Sequence, residues 1–192
     1  MIQARIAERL DVSRPAVSEM IKRMTLEGLV TVDSTIQLTS SGTELAEKVV
    51  RRHRLAERLL TDVLGLSWAA AHAEAGKWEH IISDEVESAL MRVLDNPTTC
   101  PHGNPIPGSS YVAPETQPLD SIHEGQAFVI ERIPEALEFA DGMLDFLENA
   151  LLLPGQHATM TSKTAVRAVI EVHGTSIEVE PFVSANIMVS LD

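Results

Sequence analysis

The sequence has one cysteine, few aromatic residues and no long apolar run. Cys100 is the only cysteine among 192 residues, so a disulfide within the chain is excluded and a reducing cytoplasm is the expected location. No apolar stretch approaches the roughly 18 residues that a membrane-spanning helix needs, so we expect neither membrane association nor a signal peptide. Hydrophobic residues still make up 44% of the chain, which predicts a folded protein with a core.

Positive charge is also scarce, and most of it lies near the amino end. The net charge is −13, but residues 1–60 hold 10 Lys/Arg against 8 Asp/Glu, a balance of +2. Residues 61–192 hold 5 Lys/Arg against 20 Asp/Glu, a balance of −15. Acidic residues repel nucleic acid and leave carboxylates free for cations. Phosphate contacts are therefore expected in the first segment, which permits DNA binding without proving it.

Motifs of the common hydrolases and nucleotide-binding enzymes are missing. The sequence contains no HExxH, no nucleophile elbow and no glycine-rich loop of the kind that holds phosphates. Its 10 glycines are scattered along the chain. We therefore expect a protein that is not an enzyme.

Two segments are rich in side chains that bind metals. His53 and Glu57 lie four residues apart, so on a helix they project from one face. His72 and Glu79 are two helical turns apart, with His80 on the flank. Imidazole beside carboxylate suits a divalent transition metal such as iron, manganese, cobalt, nickel or zinc. Either pair alone is more often a salt-bridged surface, but two such helices beside a DNA-reading motif favour a metal site.

That DNA-reading motif is a helix-turn-helix followed by a hairpin. Helical spacing of apolar residues predicts helices over residues 2–10 and from Ser13, as N-cap, to about Glu27. Short strands over residues 29–32 and 36–39 form a wing. In this layout the second helix enters the major groove, where its basic and hydroxyl side chains meet phosphates. The positions expected to contact DNA are Ser13, Arg14, Pro15, Ala16, Ser18, Glu19, Lys22 and Arg23.

Beyond the wing, the sequence predicts two long helices, a loop and a small β domain. The helices run from about residue 40 to 64 and from Trp68 to about Leu94. Their apolar stripe is more than one small domain can bury, so we expect a homodimer. A Pro/Gly-rich stretch predicts a linker or surface strap, in which His102 is expected to be an exposed loop residue rather than a spare metal ligand. Short strands after it predict a partly open SH3-like β-barrel. The predicted α+β fold comprises a winged helix-turn-helix (1–39), a dimerisation and metal-binding domain (40–94), a linker (95–119) and an SH3-like domain (120–192).

These stretches resemble the metal-dependent repressor family that includes the diphtheria toxin repressor, the iron-dependent regulators and the manganese transport regulators. The segments that match are ARIAERLDVSRPAVSE, RRHRLAERLL, KWEHIISDEVE and HGNPIPG, in the family's order and spacing. The carboxy-terminal segment resembles the SH3-like domain of the iron-type branch through LENALLLPGQ and VSANIMV. The resemblance implies a dimeric repressor of double-stranded operator DNA that controls iron or manganese homeostasis genes. It also implies Fe²⁺ or Mn²⁺ as co-repressor, with Co²⁺, Ni²⁺ or Zn²⁺ as substitutes.

The same resemblance implies two metal sites. The ancillary site maps onto His53, Glu57 and His72, and the activating site onto Glu79, His80 and Gly76. The family has a cysteine or an acidic residue where Gly76 stands, and a backbone carbonyl is a weaker ligand than a thiolate. An anion beside the ancillary site maps onto Arg54, Cys100 and Asn104, with Cys100 in place of an expected serine. Two further metal ligands, from the SH3-like domain, map onto Glu135 and Glu138.

Two departures from the family alter the expected behaviour. Glu19 stands where related repressors have glutamine, and its carboxylate accepts only from cytosine or adenine amino groups, so we expect a changed operator preference. The family's first helix, which supplies a ligand to the activating site, is missing before Met1, either because the start was chosen too late, because the sequence was trimmed, or because this is a natural short form. We therefore expect weak DNA binding with little metal dependence from the 192-residue chain. The alternative is a metal-independent winged-helix regulator whose SH3-like domain binds a peptide. Unchanged DNA binding after mutation of His53 and His72 would favour that alternative.

Overall fold

The computed structural model describes residues 2–164 and 166–191. It divides into two compact units, Met1–Val50 and Arg51–Asp192. No helix within the described residues is long and apolar enough to cross a membrane.

The first unit is the predicted winged helix-turn-helix. Ser13 caps the second helix by accepting a hydrogen bond from Ala16 N at 3.3 Å, and a proline lies in the first turn. Gly28 follows the helix at φ 72°, a conformation that favours glycine. The core is formed by Ala7, Val17, Ile21 and Val30. The elements are α1 (Gln3–Arg9), α2 (Arg14–Leu26), β1 (Val30–Val32), β2 (Ile36–Leu38) and the start of α3 (Ser40–Arg58).

The second unit begins with the remainder of α3, which continues as a π-helical turn over Leu59–Val63. The prediction of one helix from Trp68 to Leu94 is wrong, because the chain forms α4 (Trp68–Trp78) and α5 (Asp84–Val93). Ser83 caps α5 by accepting from Val86 N at 3.2 Å. Three acidic residues in the first turn of α5 further favour a new helix start there.

The central part of the predicted linker is buried in the second unit. Residues 100–104 are buried, and Thr99 and Pro105 form an antiparallel bridge. Gly103 has φ 81°, and a Cβ there would clash with the carbonyl oxygen of Glu131, so the close approach requires glycine. The expectation of an exposed His102 is wrong, because 1% of its surface is accessible. Proline and glycine content predicted a non-helical segment but not its burial.

The carboxy-terminal part forms the predicted SH3-like domain. Its six-stranded antiparallel sheet has the order β3-β8-β4-β5-β6-β7 and packs around a core that includes Phe128, Met160 and Ile170. The strands are β3 (Gln117–Pro118), β4 (Ala127–Arg132), β5 (His157–Lys163), β6 (Ala168–Val172), β7 (Thr175–Val179) and β8 (Met188–Leu191). The helices are a 3-10 turn (Leu119–Ser121), α6 (Glu135–Glu138), α7 (Met143–Asn149) and α8 (Pro181–Asn186). Trp68, at the start of α4, is part of this core.

Candidate metal centre

Three donor atoms from α3 and α4 converge at the predicted ancillary site. Glu57 Oε1 lies 3.0 Å from His53 Nε2 and 2.8 Å from His72 Nδ1. The two imidazole nitrogens are 3.2 Å apart. The Glu57 side chain is 1% exposed, and each histidine is 17% exposed. His53, Glu57 and His72 therefore form a triad with one carboxylate at the bottom and two imidazoles near the surface.

The dimensions of the triad suit one face of an octahedron. For ligands about 2.1 Å from a metal, neighbouring donors are roughly 3.0 Å apart in an octahedron and about 3.4 Å apart in a tetrahedron. The three observed separations, 2.8, 3.0 and 3.2 Å, agree with the octahedral value. Two histidines and one carboxylate on a single face leave other positions open and are typical of non-haem Fe(II). Without a metal, the same atoms hold one another through hydrogen bonds.

The electrostatics of the triad also favour a cation. Burial alone would raise the pKa of Glu57, but hydrogen bonds from His53 and His72 and the charge of His102 lower it to about 2. Burial alone would lower the pKa of His53, but the hydrogen bonds and charges of Glu57 and Glu79 outweigh this effect and raise it above 6.5. Glu57 is thus a carboxylate at neutral pH, and carboxylate is the form that binds metal.

Glu79 lies between the two predicted metal sites. Its Oε2 is 2.7 Å from His53 Nδ1, the ring nitrogen that faces away from the triad, and its Oε1 is 3.2 Å from His80 Nε2. A carboxylate on the outer nitrogen of a ligating histidine fixes the ring's orientation and tautomer. The structure therefore brings Glu79 and His80 together as predicted, while Glu79 also contacts the ancillary site. A Cβ at Gly76 would meet no heavy atom within 4 Å outside its own helix backbone and chain neighbours, among the described residues.

The predicted anion-binding donors contact the chain's own carboxylates. Arg54 donates to Glu135 Oε1 at 3.0 Å and to the carbonyl oxygen of Pro105. Asn104 Nδ2 donates to Glu138 Oε1 and to Ile133 O, each at 2.7 Å. Glu135 and Glu138 thus accept hydrogen bonds from Arg54 and Asn104, two of the residues expected to bind the anion.

Sequence reasoning missed His102, which lies against the triad. Its Nδ1 is 3.6 Å from Glu57 Oε1 and 3.0 Å from Glu138 Oε1. Its ring packs edge-on against Trp68, with centroids 4.5 Å apart. His102 falls between Cys100 and Asn104 in the sequence, two residues already assigned to the site, and this neighbourhood was the signal that could have identified it.

The predicted DNA-contacting residues lie at and after the start of α2. Ser18 is partly buried, and the other seven are exposed. Ion pairs between Lys22 and Glu19 and between Arg23 and Glu27 are long, 4.0 Å each, and the basic side chains are more than 70% exposed. Such pairs hold the basic groups weakly and leave them accessible to phosphates.

The positive balance of residues 1–60 does not belong to the winged helix. Residues 1–39 contain five Lys/Arg and five Asp/Glu, a balance of zero. The excess comes from four arginines on α3, at positions 51, 52, 54 and 58, which pair with Glu87, Asp84, Glu135 and Asp62. The winged helix therefore carries no net positive charge, and the predicted phosphate contacts of Arg14, Lys22 and Arg23 would rely on these side chains locally.

Two sequence-family models match the chain. One, described as iron dependent repressor, N-terminal DNA binding domain, matches residues 2–35. The other, described as iron dependent repressor, metal binding and dimerisation domain, matches residues 39–108.

Known proteins are similar over most of the chain. The iron-dependent repressor IdeR of Mycobacterium tuberculosis (strain ATCC 25618 / H37Rv) is 42% identical in an alignment 172 residues long that covers 83% of this chain and 75% of that protein. The diphtheria toxin repressor of Corynebacterium diphtheriae is 53% identical over 109 residues, which are 56% of this chain and 48% of that protein. A manganese-dependent transcriptional repressor solved in complex with manganese aligns with a TM-score of 0.86 at 28% identity, over 99% of this chain and 90% of that one. The chain belongs to the iron-dependent repressor family of metal-dependent, DNA-binding transcriptional regulators.

Proposed function

We propose that a divalent transition metal acts as co-repressor of this regulator and that His53, Glu57 and His72 hold one such ion. The observation that carries the proposal is the triad itself, with three donors from two helices at separations suited to an octahedral face. Fe²⁺ and Mn²⁺ accept this geometry and this mixture of imidazole and carboxylate. Co²⁺, Ni²⁺ and Zn²⁺ are expected to substitute for them.

The chain acts as a homodimer on double-stranded operator DNA in this proposal. Two recognition helices related by two-fold symmetry read half-sites that are about one helical turn, or a multiple of it, apart. Arg14, Lys22 and Arg23 contact phosphates, while Glu19 faces base edges and selects cytosine or adenine amino groups. The proposed location is the cytoplasm, where such an operator would lie. A metal-independent regulator with a peptide-binding SH3-like domain is not favoured, because the relatives are metal-dependent repressors.

Metal binding at the triad can be tested directly with manganese. The full chain, stripped of metal, is titrated with Mn²⁺ while free Mn²⁺ is followed by electron paramagnetic resonance. The variant His53→Ala/His72→Ala should bind one Mn²⁺ per chain fewer than the original sequence. His123→Ala, an exposed histidine of the SH3-like domain, serves as the matched control and should bind as the original does. Equal stoichiometry in the double variant and the control would refute the assignment.

DNA recognition can be tested by selection, which does not require a defined operator sequence. Selection from a pool of random duplexes, with Mn²⁺ present, should enrich a two-fold symmetric sequence with half-sites one or two turns apart. No symmetric enrichment would contradict the dimeric reading mode. Binding to the selected duplex with and without metal, at one salt concentration, then measures the metal dependence.

A further inference from the structure

A second group of potential ligands lies beside the triad. Glu57, Cys100 and His102 each offer one donor atom, and these atoms lie within 4.8 Å of one another. Glu138 adds a carboxylate oxygen 3.0 Å from His102 Nδ1. We call these four residues the inner cluster. Each side chain is deeply buried, with 1% of the surface of Glu57, Cys100 and His102 and 6% of Glu138 exposed.

The His102 imidazole lacks hydrogen bonds in this cluster. Within residues 2–164 and 166–191, neither of its ring nitrogens has a hydrogen-bond partner, although Nδ1 lies close to two carboxylate oxygens. Buried side-chain nitrogens normally have a hydrogen-bond partner, and one left without a partner destabilises the folded chain. An imidazole nitrogen close to two carboxylate oxygens without a hydrogen bond to either, with a thiol nearby, is an arrangement that a bound cation would explain.

We propose that Glu57, Cys100, His102 and Glu138 bind a second divalent ion, adjacent to the one in the triad, with Glu57 as the shared ligand. A carboxylate between two ions is a recurrent feature of two-metal sites. Four ligands from the protein make a closed set, typical of structural zinc sites rather than sites that keep a position for water or substrate. The cation would offset the two buried carboxylates, which are otherwise costly to keep charged in the interior.

The ligand types determine which metal the inner cluster prefers. A thiolate and an imidazole favour Zn²⁺ and its spectroscopic substitute Co²⁺, while Mn²⁺ prefers sites made of oxygen ligands. The two neighbouring sites therefore differ in selectivity, since the triad has no sulfur and has an octahedral shape. In the inner cluster, Mn²⁺ should bind far more weakly than Zn²⁺.

Neighbouring residues hold the inner ligands in place. Asn104 Nδ2 donates to Glu138 Oε1 at 2.7 Å and thereby positions that carboxylate. Trp68 packs against the His102 ring, and the close approach at Gly103 fixes the loop against β4. The loop backbone adds further support, since Cys100 N donates to Asn104 O at 2.9 Å and Ile133 N donates to His102 O at 2.8 Å. The ion would thus join α3, the buried loop and α6.

Cobalt absorption provides the test, because a cysteine thiolate bound to Co²⁺ gives a charge-transfer band in the near ultraviolet. The full chain, stripped of metal and kept reduced, should develop this band on titration with Co²⁺. Zn²⁺ added at the same concentration as Co²⁺ should abolish the band, and Mn²⁺ at that concentration should not. The band should disappear in Cys100→Ser. In His102→Phe, which retains the contact with Trp68, the apparent affinity for Co²⁺ measured from the band should fall at least tenfold. The double variant Cys100→Ser/His102→Phe should bind one Co²⁺ per chain fewer.

The variant His53→Ala/His72→Ala separates this proposal from the proposed function. It should lose Mn²⁺ binding at the triad and keep the near-ultraviolet cobalt band. Loss of the band in that variant would mean that Cys100 reports on the same ion as the triad, and it would overturn the second site. Absence of any band in the original chain while Co²⁺ binds would also overturn it. Circular dichroism verifies that each variant is folded, and Cys100→Ala replaces Cys100→Ser if the serine variant is not.

Discussion

Glu79→Gln and Glu79→Ala should weaken metal binding at the triad by different amounts, because Glu79 orients His53 from behind. The carboxylate lies 2.7 Å from His53 Nδ1. Removing such an orienting partner typically weakens metal binding 10–100-fold, or about 1.4–2.7 kcal/mol. Glutamine keeps an acceptor oxygen but loses the charge, so we expect a loss of about 10-fold. Alanine loses both, so we expect about 100-fold.

The effect can be read from thermal unfolding with Mn²⁺. Metal at about 1,000 times its Kd stabilises the folded chain by about 4.1 kcal/mol, and the two losses reduce this to about 2.7 and about 1.4 kcal/mol. At about 2–4 °C per kcal/mol for a chain of this size, the metal-induced rise in Tm should be smaller by about 3–6 °C in Glu79→Gln. In Glu79→Ala it should be smaller by about 5–11 °C.

His80→Ala is the control, since His80 contacts the other oxygen of Glu79 and its side chain is 66% exposed. It should reduce the metal-induced rise in Tm by less than either Glu79 variant. If His80→Ala reduced the rise as much as Glu79→Ala, the two residues would act together as a separate site. An unchanged rise in both Glu79 variants would show that the carboxylate does not position His53.

Three further predictions concern pH, assembly and DNA. The metal-free chain should be most stable between about pH 4.5 and 6.5. The contribution of Glu57 to the free energy of unfolding is lost as pH falls towards its pKa of about 2, and the contribution of His53 is lost as pH rises through its raised pKa. Urea unfolding across pH should show this maximum, and Glu57→Gln should flatten it. Sedimentation at micromolar concentration should show a dimer. Ile81→Glu should shift it towards monomer, since Ile81 is an apolar side chain that is 77% exposed in the single chain. A monomer in the original chain would contradict the predicted dimer. Three phosphate contacts from each protomer give six per dimer, so a plot of the logarithm of DNA affinity against the logarithm of salt concentration should have a slope of about −5. Arg23→Ala removes two of these contacts and should make the slope shallower by about 2.

Features that depend on local spacing could be predicted from the sequence alone. Ser13 before a periodic apolar stretch, with Gly28 at its end, located α2 within one residue, because capping and helical periodicity act over one or two turns. The four-residue interval between His53 and Glu57 placed both on one face of α3 for the same reason. The resemblance to the repressor family added His72, and α4 brings it to that pair.

Contacts between side chains of different elements could not be predicted from local sequence, because they depend on how the elements pack. Glu79 contacts His53 of α3 and its own neighbour His80 at the point where α4 ends, directly after Trp78. The sequence did not predict this end, because the cap at Ser83 is a weak signal inside a long apolar periodicity. Arg54 and Glu135 are 81 residues apart in sequence, so no local rule predicts that they pair. The Pro/Gly-rich loop gave no indication that His102 is buried, because that composition reports which backbone conformations a segment adopts. Burial instead depends on whether neighbouring elements cover the segment, and here β4 and Trp68 do so through the close approach at Gly103.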